Sequence, residues 1–158
     1  MNTLNSIGLE TTSSALLRDQ LNVLLANYQI TYQNIRGAHW NIKGPAFFEL
    51  HVQFETMYNA AALMIDSIAE RVLTLGGTPL HRFSDYLEMA TISESTTQRD
   101  GKALVTMALE NFQSILELER QALTLAADSG DEGTVTLLSD DITALEKQQW
   151  MLSAWLGA

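Results

Sequence analysis

Three histidines, His39, His51 and His81, and two carboxylates spaced four residues apart, Asp66 and Glu70, are the side chains best suited to chemistry in this chain of 158 residues. Imidazole and carboxylate together are donors that Fe(II) takes, and Zn(II) or Mn(II) can occupy the same set. Cysteine is absent, which excludes thiol catalysis. If the surrounding segment is helical, Asp66 and Glu70 share one face of it, as bridging ligands do. Glu55 lies one turn after His51 and is placed to act as an extra ligand or as a group that orients one. His81 follows Pro79 closely and reads as structural. Each residue also has a plainer reading when taken singly: His39 as a loop or capping residue, and Asp66, Glu70 and Arg71 as solvated charges.

The elements that must position these groups are helical. Only two prolines and nine glycines occur, set between stretches rich in Ala, Leu, Gln, Glu and Met, which are good helix formers. Leu17, Leu21, Leu24, Tyr28, Tyr32 and Ile35 repeat at helical spacing and predict a first helix from a cap near Thr11 or Thr12 to about Gly37. A connection from Gly37 to Gly44 follows, with Pro45 in the first turn of a second helix. That helix carries Leu50, Phe54, Met57, Ala61, Met64, Ile68, Val72 and Leu75 and stops at Gly76-Gly77. The next strong pattern begins about twenty residues later, too far for a bare loop in a compact domain, so His81 to Ala90 is expected to form a short helix. Leu104, Ala108, Ile115, Ala122 and Leu125 mark a third long helix. After a turn at Asp128-Ser129-Gly130-Asp131, a fourth carries Leu138, Ile142, Leu145, Leu152 and Leu156. The expectation is one all-α domain over residues 1–158, two helical hairpins joined by a long crossover.

Within one such chain the ligands cannot meet. His51 and Asp66 are fifteen residues apart on one continuous helix, about 22 Å along its axis, whereas metal–ligand bonds are about 2 Å. A diiron centre inside a four-helix bundle draws a Glu-x-x-His pair from each of two helices, and the sequence contains no Glu-x-x-His. The bundle core is therefore expected to be metal-free. A two-fold axis crossing the second helix resolves the difficulty, because an antiparallel copy brings its Asp66 and Glu70 beside the first chain's His39 and His51. The axis falls near Asn59-Ala60-Ala61-Ala62, where small side chains permit close approach of two helices.

A formal charge of −10 repels nucleic acid and anionic membrane and favours cations. No leader-like segment opens the chain, and no apolar run approaches the ~20 residues that span a bilayer, so a cytoplasmic location is expected.

His39-Trp40-Asn41-Ile42-Lys43-Gly44, Phe47-Phe48-Glu49-Leu50-His51, Asp66-Ser67-Ile68-Ala69-Glu70-Arg71, Leu75-Gly76-Gly77-Thr78-Pro79, Gly130-Asp131, Trp150 and Leu156-Gly157 give the chain, over nearly its whole length, a resemblance to the Dps-type mini-ferritins. The resemblance implies a ferritin-like four-helix bundle with a short helix in the crossover between helices two and three. It implies a dodecameric cage whose ferroxidase centres, dinuclear iron sites at two-fold interfaces, are formed by His39, His51, Asp66 and Glu70. Hydrogen peroxide as oxidant and ferric mineral stored inside, a protection against oxidative stress, are further implications. Glu55 stands where members of that family usually have Asp. Members that coat DNA do so through basic tails, whereas the first basic residue here is Arg18 and the chain ends just after its last helix, so DNA binding is not expected to carry over. A nucleoid protein that binds DNA and a metal-free helical interaction module are the rival classes. Trp40, beside the site, is expected to pack at the interface, with interception of stray oxidising equivalents as the alternative. Asp128, Asp131 and Glu132 are the candidates for lining an iron-entry pore.

Overall fold

The computed structural model describes residues 3–158. Among the described residues there are five helices: α1 (Thr11–Asn41), α2 (Phe47–Thr74), α3 (Phe83–Met89), α4 (Gly101–Asp128) and α5 (Glu132–Leu156). Among the described residues the only β pairing is an isolated bridge between Leu4 and Glu10. The four long helices form a ferritin-like bundle and α3 lies in the crossover, the all-α architecture expected from the sequence.

Each long helix buries the stripe its periodicity marks. Leu17, Leu21, Leu24 and Ile35 of α1 meet Phe54, Ile68 and Val72 of α2 and Val105, Ala108 and Ile115 of α4 in one core. Carboxylate caps start three of these helices: Glu10 accepts from the Ser13 N–H at 2.7 Å, Asp100 from Ala103 at 3.0 Å and Asp131 from Thr134 at 3.0 Å. Each satisfies a backbone donor that a helix start otherwise leaves unpaired.

The first hairpin departs from expectation in a way that matters for the site. Gly37 keeps helical backbone and α1 runs on to Asn41, so His39 lies inside the last turn rather than in a loop. The Asn41 amide donates to the Gly37 carbonyl and the Ile42 N–H to the Ala38 carbonyl, closing a turn that Gly37 alone does not break. The reversal falls instead at Gly44, whose φ of +109° suits a residue without Cβ. Pro45 sits in that turn, two residues ahead of Phe47.

The crossover is held to α1 by buried amides rather than by apolar contact alone. The Asn27 side-chain oxygen accepts from the N–H and hydroxyl of Thr91 and from the N–H of Ile92. One turn pair further on, Asn34 accepts from the Ser95 N–H and donates to the Ser93 carbonyl and to Asn111 of α4. At the opposite end Arg71 of α2 pairs with Asp131 at 2.5 Å and donates to Thr134 at 2.7 Å. A Cβ on Gly133 would stand 3.0 Å from the Arg71 guanidinium, so glycine there leaves room for the ion pair.

Candidate metal centre

The end of α1 and the first turns of α2 place His39 and His51 face to face. Their rings stack with centroids 3.8 Å apart and planes 15° from parallel. Each Nδ1 lies 2.7 Å from the backbone carbonyl oxygen of the other histidine. A carbonyl only accepts, so each Nδ1 is the donor, and in the neutral rings both Nε2 atoms are left with free lone pairs. Fixing the tautomer through the far nitrogen is what holds an imidazole ready as a metal ligand. Phe47 stacks on His51 at 4.9 Å, and Tyr58 meets His39 edge-on at 5.3 Å, so four aromatic rings in sequence lock the pair. Neither Phe47 nor Tyr58 stands out in the sequence, because aromatic residues near an apolar stripe read as ordinary core.

Glu55, Asp66 and Glu70 lie on α2 with their side chains exposed. Together with Asn59 and Leu63, the latter 74 % exposed, they form one outward stripe at three- and four-residue spacing. α2 is unbroken between His51 and Asp66, which leaves the imidazoles and the Asp66–Glu70 pair about 22 Å apart along the axis. Among the described residues no group of three or more His, Asp or Glu side chains within the chain is placed to hold a metal ion. Within the chain the imidazole pair and the Asp66–Glu70 pair are thus not brought together.

Trp40 is 56 % exposed and carries the Arg36 guanidinium 4.7 Å above its ring. His81 is exposed beside α3. The pore-lining expectation fails for Asp131. It is 2 % exposed, caps α5 and pairs with Arg71, because a helix start facing a neighbouring arginine draws its carboxylate inward. Asp128 and Glu132 remain exposed at that turn.

Burial and charge produce one further polar cluster that periodicity did not reveal. Glu119 of α4 is fully buried. Its Oε1 lies 3.4 Å from the Tyr28 hydroxyl, which hydrogen-bonds Asp141 of α5. Burial, with Asp141 alongside, pushes the Glu119 carboxyl up to about 10. The signal was present in the sequence, since Glu119 falls on the buried stripe between Ile115 and Ala122.

Comparison with known proteins matches residues 18–158 to the ferritin family, a ferritin-like domain. A crystal structure of a Dps protein from Vibrio cholerae O1, described as a member of a broad superfamily of ferritin-like diiron-carboxylate proteins, is 49 % identical, with a TM-score of 0.96 over 99 % of this chain and 98 % of that one. A Dps crystal structure from Bacillus brevis is 35 % identical, with a TM-score of 0.89 over 94 % of this chain and 99 % of that one. A DNA protection during starvation protein from Porphyromonas gingivalis is 41 % identical over 148 residues, 94 % of this chain and 93 % of the relative.

Proposed function

The chain belongs to the ferritin-like family as a Dps-type mini-ferritin, and from that premise we propose that it is a ferroxidase that oxidises Fe(II) at sites built by two copies of itself and stores the ferric product in a closed cage. The observation that carries the proposal is the pair of complementary half-sites: stacked imidazoles with free Nε2 atoms at one end of α2, exposed carboxylates toward the other. Their spacing fits a two-fold contact. Pairing His51 with Glu70, and Glu55 with Asp66, sets the same midpoint, between Ala60 and Ala61, so one axis through α2 serves both. Side chains there are small, and the exposed Leu63 supplies apolar surface for an antiparallel contact.

His39 and His51 act as neutral ligands, Asp66 and Glu70 as charged or bridging ones, and Glu55 as a ligand or as the group that orients one. Iron is the substrate. Two Fe(II) ions give one electron each to hydrogen peroxide, which takes up two protons and leaves as two waters, so no hydroxyl radical is released. Asp128 and Glu132 are the acidic residues left to guide cations inward. DNA binding is not part of the proposal, although the relative from P. gingivalis is named for DNA protection, because a subunit of charge −10 opposes the phosphate contacts that DNA affinity needs.

Complementation tests the two-chain site. One variant changes His39 and His51 to Ala, the other Asp66 and Glu70 to Ala, and each alone is inactive. When the two are unfolded together and reassembled at random, half the dimers join unlike chains and carry one intact site of two, so activity recovers to about a quarter of wild type. No recovery from properly mixed cages rejects the two-chain site.

A further inference from the structure

Arg36 is a half-buried cation with most of its hydrogen-bonding capacity unspent. Three cationic side chains of the chain are half-buried: Arg18, Arg36 and Arg71. Arg18 donates to the carbonyls of Leu75 and Gly76, and Arg71 donates to Asp131 and Thr134. Arg36 gives one N–H to the Tyr32 hydroxyl at 2.9 Å, although a guanidinium has several to give. No carboxylate of its own chain pairs with it among the described residues, where the ion pairs are Arg71–Asp131, Arg82–Asp85 and Arg120–Glu146. Its position is nevertheless fixed. Tyr32 and Trp40, one turn to either side on α1, hold the guanidinium 5.3 Å and 4.7 Å from their ring centres. A guanidinium held in this way and left without an anion points to a partner outside the chain.

The register of the helices identifies that partner. His39 and His51 stack at 3.8 Å, and Tyr32 and Tyr58, each seven residues further from the hairpin, meet at 5.9 Å. Antiparallel α1 and α2 are thus locked in one register, and Arg36, three residues before His39, is level with Phe54, three after His51. The two-fold axis between Ala60 and Ala61 sets Phe54 opposite Ser67 of the partner subunit. Arg36 then stands within one residue of the level of the partner subunit's Asp66, as His39 stands level with the partner's Glu70. Arg36 and His39 share a face of α1 and are separated by about 4.5 Å of rise, so a helix that reaches one imidazole comes within reach of the guanidinium.

We propose that Arg36 is the counter-ion of the partner subunit's Asp66 at the two-fold contact, holding that carboxylate while the site is empty and giving it up when a divalent cation binds. The inference rests on the two-chain site proposed above. Before metal arrives, Glu55 and the partner's Asp66 and Glu70 bring three like charges to each site, and one guanidinium offsets part of their repulsion. Guanidinium and carboxylate pair through two parallel hydrogen bonds, so Arg36 also sets the direction in which Asp66 is presented. A divalent cation supplies the opposing charge in its place and competes for the same oxygen atoms. Arg36 is thus a positioning residue, and it lowers the affinity of the site below what its ligands alone would give.

A double-mutant cycle on the metal-free assembly tests the pair. With chelator present, loss of assembly in rising urea is followed by light scattering for wild type, Arg36→Gln, Asp66→Asn and the double variant. Arg36→Gln should lower the urea midpoint in the wild-type background and leave it unchanged in the Asp66→Asn background. Co(II) binding, followed by its visible absorption, gives a readout that a packing role would move the other way. Arg36→Gln should bind Co(II) several-fold more tightly than wild type, because a competitor for Asp66 is gone. An equal effect of Arg36→Gln in both backgrounds overturns the pair, as does Co(II) binding that is unchanged or weaker. Where the histidine and carboxylate variants complement each other, such a result rejects Arg36 alone. Where they fail to, the two-chain site falls and the pair falls with it.

Discussion

Replacing Glu119 by Gln should change how the stability of the fold depends on pH. In the folded chain the Glu119 carboxyl is pushed up to about 10 by burial and the adjoining Asp141, whereas in the unfolded chain it titrates near 4.5. Between those values the native state holds a proton that the unfolded state has released. Stability from this group is therefore fully present below about pH 4.5 and is lost as pH rises toward 10, at about 1.4 kcal/mol per pH unit. From pH 6 to pH 8 the loss is on the order of 2–3 kcal/mol. At about 2–4 °C per kcal/mol for a chain of this size, that is a fall of about 5–10 °C in melting temperature. Glutamine has the shape of the protonated acid and does not titrate, so Glu119→Gln removes the slope. Calorimetry of both proteins in the same assembly state, with chelator present, should give melting temperatures that lie closest at acid pH and diverge steadily as pH rises. Parallel curves across pH 6–8 would refute a proton held at Glu119.

Removing the Arg71 side chain, as in Arg71→Met, leaves Asp131 buried without its partner and should cost about 3–5 kcal/mol in urea unfolding; Arg71→Lys should recover only part, because one ammonium cannot span both Asp131 and Thr134. Asn27→Ala strands the buried Ile92 N–H together with two polar groups of Thr91. A loss of about 1–3 kcal/mol is expected, with hydrogen exchange at Thr91 and Ile92 rising more than in the α4–α5 hairpin. Phe47→Leu takes away the ring stacked on His51 and should weaken Fe(II) binding about tenfold in anaerobic titration while leaving the circular dichroism spectrum unchanged.

The helices were legible because their information is local. Apolar residues at three- and four-residue steps mark the buried stripe of each long helix, and the twenty-residue gap before α4 is too long to be structureless, which places α3. The end of α1 was less legible. A glycine inside a helical pattern is ambiguous between an interior residue and a stop, and only the side chain of Asn41 reaching back to Gly37 decides for the interior. Asp131 is ambiguous in sequence for a related reason. An acidic residue at a helix start looks the same in sequence whether it faces solvent or a neighbouring helix, and here Arg71, sixty residues earlier, fixes its direction.

The two polar sites differ in legibility because they depend on different distances. A helix rises by a constant amount per residue, so the separation of His51 from Asp66 follows from counting, and counting alone shows that one chain cannot unite them. That conclusion holds however the other helices pack, since no arrangement of them shortens α2. The Glu119 cluster depends instead on how α1, α4 and α5 meet, with partners 91 residues away along the chain at Tyr28 and on a third helix at Asp141. Periodicity places Glu119 on a buried stripe but leaves open whether its carboxyl turns outward along the helix surface or inward to a partner. The phenol of Tyr28 and the carboxyl of Asp141, each on a helix that also reads as ordinary core, settle that direction only once the bundle has closed around them.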